Sequence, residues 1–176
     1  MDKSILAVNK DSLERVLVKN PMIKSAQVYY SLDGYIHVNI QQREPVLRVL
    51  TGEGYYVDRD GRVMPLSSKF TSRVVVATGD INKKFACEKL GPFAMKLKNE
   101  PFWDAYIEQL VVRSNEDVVM IPKVGDFRIV LGKVDDCDAR LEKLILFLKD
   151  GITKKGWNRY KEINLKFDNQ VVCVRK

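Results

Sequence analysis

The sequence predicts an α+β fold in which hairpins and a meander build an antiparallel sheet against packed helices. Three observations carry this reading. Short runs of alternating apolar residues come in pairs joined by Asp-Gly, at Asp33-Gly34 and Asp60-Gly61, a dipeptide that supplies the positive φ of a tight hairpin turn. One stripe of Leu141, Leu144, Ile145 and Leu148 stands at i, i+3, i+4 and i+7, the spacing of a helix with one buried face. Finally, 176 residues that are 45% hydrophobic, with ten Gly and six Pro, can bury a core, as one ordinary domain or two small ones.

In chain order, the first element is a short helix. Asp11 and Glu14 match a capping box, and Leu13, Val16 and Leu17 recur at helical spacing. Asn20-Pro21 stops it, because the residue before proline is pushed out of the helical region. Ala26, Val28 and Tyr30 then alternate along one strand and Ile36, Val38 and Ile40 along the next. Pro45, in Gln42-Arg43-Glu44-Pro45, cannot donate to a ladder and marks a strand start, edge or bend. A second hairpin spans 54–58 and 62–66, and β-branched residues 73–77 form a strand ending at Thr78-Gly79-Asp80. Phe85, Leu90, Phe93, Ala94 and Leu97 suit a helix from Asn82 to about Lys98, which Gly91-Pro92 must kink or divide.

Residues 106–113, 117–121 and 126–131 form a meander of three antiparallel strands. The helix carrying the Leu141 stripe runs from about Asp136 to Lys149 and stops at Gly151. Asp135, Asp136 and Asp138 lie at its positive end and Lys143 and Lys149 toward its negative end, as a helix dipole favours. After a basic connector holding Trp157 and Tyr160, Ile163, Leu165 and Phe167 alternate in a strand. A turn falls near Asp168-Asn169, and 171–174 closes the chain.

The longest apolar runs, such as 144–148 and 171–174, fall far short of the ~20 residues that cross a bilayer, and no signal peptide opens the sequence. The chain carries 30 Lys and Arg against 23 Asp and Glu, a net +7. The excess lies in the first hundred residues and after 150. A basic chain invites a nucleic-acid reading. Yet Lys83-Lys84 and Lys154-Lys155 are pairs rather than runs, and no aromatic RNA-binding signature accompanies them. The charge reads as a solvated surface, or one drawn to anionic lipid or an acidic partner.

Chemistry is hard to find. His37, the one histidine, sits between apolar neighbours on a strand and so points away from their side, with no Ser or Cys in a catalytic signature beside it. Cys87, Cys137 and Cys173 are odd in number and widely spaced, which builds neither a disulfide framework nor a metal site. Gly52-Glu53-Gly54 lacks the rest of a phosphate loop, and Asp58 with Asp60 reads as turn chemistry rather than a carboxylate pair. Nothing calls for a cofactor, a metal or a small-molecule substrate, and a binding module is expected instead of an enzyme.

Four segments, read together, resemble the bacterial cell-division family FtsQ, called DivIB in Gram-positive bacteria. Residues 20–28, the Asp33-Gly34 hairpin and Gln42-Arg43-Glu44-Pro45-Val46 look like the end of that family's POTRA domain. Tyr55-Tyr56-Val57-Asp58-Arg59-Asp60-Gly61 is similar to the opening of its β domain, and the meander, the 136–149 helix and closing residues 163–172 fit the rest. The Tyr-Tyr and Asn-Gln-Val-Val spellings resemble the Bacteroidetes branch.

The resemblance implies a truncated POTRA domain over 1–50, lacking its first strand and helix, and a β domain over 51–176. It implies an extracytoplasmic fragment, with Met1 added at the cut, of a single-pass protein of the bacterial inner membrane facing the periplasm. The expected role is a non-enzymatic divisome scaffold that binds FtsB and FtsL at its C-terminal edge strand and other divisome membrane proteins through the POTRA domain. The positions that match the interface are Arg113, Phe167, Asp168, Asn169, Gln170, Val171, Val172 and Cys173. Rival readings are a POTRA-bearing protein of outer-membrane assembly or secretion, and a basic nucleic-acid-binding module. The missing elements, which would cover the sheet, also make the first 50 residues the less stable half.

Overall fold

The computed structural model describes residues 9–68, 71–149 and 159–176; Gly151 and Trp157 lie outside them. Helix α1 (Lys10–Val18) starts from Asn9, whose side chain accepts the Ser12 N–H. This displaces the expected capping box at Asp11. With Asn9 in that role, Glu14 is released from the cap, and its half-buried carboxylate accepts the N–H of Val28 on the following strand at 2.7 Å. The Asp33-Gly34 hairpin forms as expected, with β1 (Ile23–Tyr30) antiparallel to β2 (Ile36–Gln42) as a separate two-stranded sheet. Helix α1 packs on β1, where Ile23, Ala26 and Val28 are buried.

Pro45 proves to be a strand start. Strand β3 (Pro45–Val49) belongs not with the hairpin but with the second sheet, antiparallel to β4 (Tyr55–Asp58) and parallel to β6 (Val75–Gly79). Val46, Leu47 and Val49 are buried, which explains the placement: the small hairpin has no core that could cover them. The chain therefore passes between sheets at Arg43-Glu44 rather than near residue 50.

The second sheet runs β11-β10-β9-β8-β7-β6-β3-β4-β5, with β5 (Val63–Pro65), β7 (Ile107–Arg113), β8 (Asp117–Pro122), β9 (Arg128–Gly132), β10 (Tyr160–Asn164) and β11 (Val172–Arg175). The α+β class holds, but the sheet is mixed rather than wholly antiparallel, since β3–β6, β6–β7 and β9–β10 are parallel. Parallel neighbours need a long crossover. The helices supply two of them, one between β6 and β7 and one between β9 and β10.

In the first crossover, α2 (Lys83–Phe85) passes through a π-turn at Ala86–Leu90 into α3 (Gly91–Asn99). The expected kink takes this form because Pro92 has no N–H and its ring crowds the carbonyl four residues back; the Gly91 N–H bonds Ala86 O instead. A short helix α4 (Pro101–Tyr106) follows, so β7 begins at Ile107, one residue later than the sequence suggests. In the second crossover, α5 (Asp138–Phe147) begins after Asp136, whose φ of 47° lies in the left-handed region. Leu90, Leu110, Met120, Ile129, Leu144, Ile163 and Leu165 form the heart of the core.

Two sequence motifs meet where the sheets join. The Arg43 guanidinium donates to the Asp58 carboxylate at 2.8 Å, and Asp58 also accepts the N–H groups of Asp60 and Arg62. Around this pair lie the ion pairs Lys24–Asp60, Arg59–Glu44 and Lys98–Glu44. Hydrogen bonds from Lys98 to Glu44 and from Lys24 to Asp60 hold both carboxyls below their usual range.

Candidate functional site

The site residues Phe167 to Cys173 lie together at one end of the large sheet. After β10 the chain turns through Asp168, Asn169 and Gln170, all exposed, with Asn169 at φ 57°, a conformation that Asn tolerates better than most residues. The turn is pinned from α5: Lys143 donates to the carbonyl of Phe167 at 2.6 Å and reaches that of Leu165 at 3.4 Å. The sequence assigns Lys143 only to the helix dipole, because its partners lie 24 and 22 residues away. Strand β11 then runs back antiparallel to β10, with Asn164 opposite Val172, Ile163 opposite Cys173 and Glu162 opposite Val174. It has one neighbour and ends the strand order.

The direction of each backbone group on β11 follows from the ladder. The Leu165 N–H bonds Val130 O of β9, so Ile163 and Leu165 face β9, and Glu162 and Asn164 face β11. Val172 and Val174 are therefore bonded inward. The Lys176 N–H bonding Arg159 O gives the same parity. The outward N–H and C=O groups belong to Cys173 and Arg175. The side chains split differently: Val171 and Cys173 pack against the core, while Val172, Val174 and Phe167 are exposed.

Arg113 is not beside this strand. It ends β7, four strands and about 19 Å from β11 at ordinary strand spacing. Its guanidinium lies 4.0 Å from Asp117, which also takes Lys166 at 3.2 Å, so a charged row leads from Arg113 to the chain just before Phe167. Asp117, Lys133, Arg140, Lys166 and Asp168 border a shallow depression along that row.

Other candidates lead elsewhere. His37 stacks on Tyr29, with ring centroids 5.1 Å apart, on an exposed strand. All three cysteines are free, and burial pushes each thiol above its ordinary value, away from the reactive thiolate. Among the described residues no group of three or more His, Cys, Asp or Glu is placed to hold a metal. Asp58, read as a turn residue, is also the buried end of the junction ion pair, at 2% exposure.

These features define a class: a small helix-and-hairpin unit joined by buried charge to a larger mixed sheet whose last strand lies at an open edge. Residues 44–174 match the family model described as FtsQ/DivIB, C-terminal related, and residues 1–41 match that of a POTRA-like domain. With well over half of its length matched, the chain belongs to the FtsQ/DivIB family, a membrane-anchored, non-enzymatic family of cell division with an extracytoplasmic domain. The two matches part between residues 41 and 44, where the chain passes from one sheet to the other. A search of curated proteins finds no match. Among the described residues no helix is long and apolar enough to cross a membrane.

Proposed function

We propose that the chain is a divisome scaffold that docks FtsB- and FtsL-type partners by accepting a partner strand along β11, in the periplasm, as part of a protein anchored in the bacterial inner membrane. The observation that carries this reading is the edge position of β11. An edge strand with free donors and acceptors is a template for strand addition, and flanking side chains select the partner. Exposed Phe167, Val172 and Val174 offer apolar contacts. Asp168, Asn169 and Gln170 shape the entry turn, Val171 and Cys173 set the strand on the core, and Arg113 supplies a cation further along the same end of the sheet. Other divisome membrane proteins are assigned to the POTRA unit.

The ladder parity selects the test. Proline at Val172 would break the bond to β10 and damage the sheet. Proline at Cys173 removes an outward N–H and leaves the ladder intact. Cys173→Pro is expected to abolish capture of an FtsB-type periplasmic segment while keeping a cooperative unfolding transition, and Cys173→Ala, with its N–H in place, to retain capture. Undiminished binding by Cys173→Pro refutes docking at this edge.

A further inference from the structure

Helix α5 carries two cations three residues apart, on one side of the helix, and each reaches the end of a strand beneath it. Arg140 donates to the carbonyls of Leu131 and Asp135, both at 2.7 Å, and so caps the end of β9. Lys143, one turn on, donates to the carbonyls of Phe167 and Leu165, just past the end of β10. Main-chain carbonyls where a strand leaves its ladder need donors from elsewhere. Strands β9 and β10 are parallel neighbours, and α5 packs Leu141 and Leu144 into the same core as Ile129 and Ile163. Positions i and i+3 of the helix therefore fall over adjacent strand ends.

The two ends are not equivalent. Strand β9 is held on both sides, by β8 and β10, whereas β11 has β10 alone. Residues 166–170, which lead into β11, are exposed throughout, and Asn169 among them is left-handed. The strand itself is four residues long, with a register irregularity between Tyr160 and Glu162 of β10. An edge with so few buried contacts opens locally at low free energy. Two other side-chain bonds hold its entry: the Lys166 N–H to the Asn164 carboxamide, and the half-exposed Lys166 ammonium to Asp117. The 2.6 Å bond from the Lys143 ammonium to the Phe167 carbonyl is the shortest of these ties, and a charged donor makes it the strongest kind.

We propose that Lys143 is the positioning residue of the docking edge. The inference rests on the reading of β11 as the docking strand. The ammonium holds residues 165–167 against α5, so that β11 is already laid on β10 before a partner strand arrives. Lys143 itself touches no partner. It raises the fraction of chains whose edge is competent to dock, and apparent affinity scales with that fraction. Arg140 performs the same chemistry at β9, an interior strand with no free edge, and so provides a comparison within the same helix.

The test follows native-state amide exchange of the free 176-residue chain and the kinetics of its capture of an FtsB-type periplasmic segment. Lys143→Met keeps the apolar stem and removes the donors. In it the Val172 and Val174 amides, bonded inward to β10, are expected to exchange at least about tenfold faster, with those of Met120 and Ile129 little changed. Capture weakens through slower association at an unchanged dissociation rate, and Lys143→Arg restores both readouts. Unchanged capture by Lys143→Met overturns the inference. So does a loss carried by dissociation alone with exchange unaltered, which makes Lys143 a contact of the partner. Exchange that rises equally at Met120 and Ile129, or an equal selective effect on β11 in Arg140→Met, overturns it as well. Absence of capture by the unsubstituted chain, or undiminished capture by Cys173→Pro, overturns the docking reading and this inference with it. Capture lost in Cys173→Pro but kept in Lys143→Met leaves the docking edge standing and removes only the role of Lys143.

Discussion

Arg43 and Asp58 show how much one residue pair can decide. A carboxylate at 2% exposure keeps its charge only if donors surround it, and here two backbone N–H groups and one guanidinium do so. Arg43→Met removes the cation and leaves the two N–H groups. We expect a loss of about 2–3 kcal/mol in urea unfolding, with partial recovery when Asp58→Asn is added. The turn role of Asp58 was legible from Asp60-Gly61. Its partner was not, because no local pattern links residues fifteen apart across a change of sheet. Tyr106 offers a pH test. Burial pushes its hydroxyl from 10.0 up to about 12, and the oxygen finds no hydrogen-bond partner. A folded value above the unfolded one means that stability is intact below about pH 10 and lost as pH rises toward 12. Comparing urea unfolding at pH 9 and 11, we expect Tyr106→Phe to lessen the drop by about 1–2 kcal/mol, while the three buried thiols and Tyr55 contribute drops of their own in the same direction, and the variant to be at least as stable at pH 9.

The legibility of an element depended on how local its cause is. Both Asp-Gly hairpins were readable, since turn and strands lie within a few residues, and so was α5 from its stripe. The parallel pairings were not, because β3 meets β6 and β9 meets β10 only after the intervening chain has folded. Helix α4 was hidden in six residues that begin with Pro101, which reads as a breaker although proline is well placed in a first helical turn. At the candidate site, the closing strand was readable as a strand, but its inward and outward backbone groups depend on the register with β10 and on how β10 meets β9. The junction of β6 and β7 gives an element-scale prediction. Gly79, at φ +104°, lies so close to the Val112 carbonyl that a Cβ would collide with it, while the neighbouring Asp80 N–H bonds that same oxygen. Gly79→Ala is expected to cost about 2–4 kcal/mol in thermal or urea unfolding, because a backbone atom cannot yield as a side chain can.

The two parts of the molecule are unequal in what they bury. Helix α1 has no fully buried residue and β2 is exposed along its length, whereas the large sheet and its helices share one continuous core. Apolar burial is the main source of stability, so amides of residues 11–45 are expected to exchange faster than those of 109–149 in native-state hydrogen exchange. Equal protection would count against this ranking.

Among the described residues the large sheet stops at its far end at β5, three residues long and closed by Pro65, a strand too short and too poor in donors to template another. Growth of this sheet is therefore one-directional. The docking proposed at β11 would therefore take a single partner strand per chain.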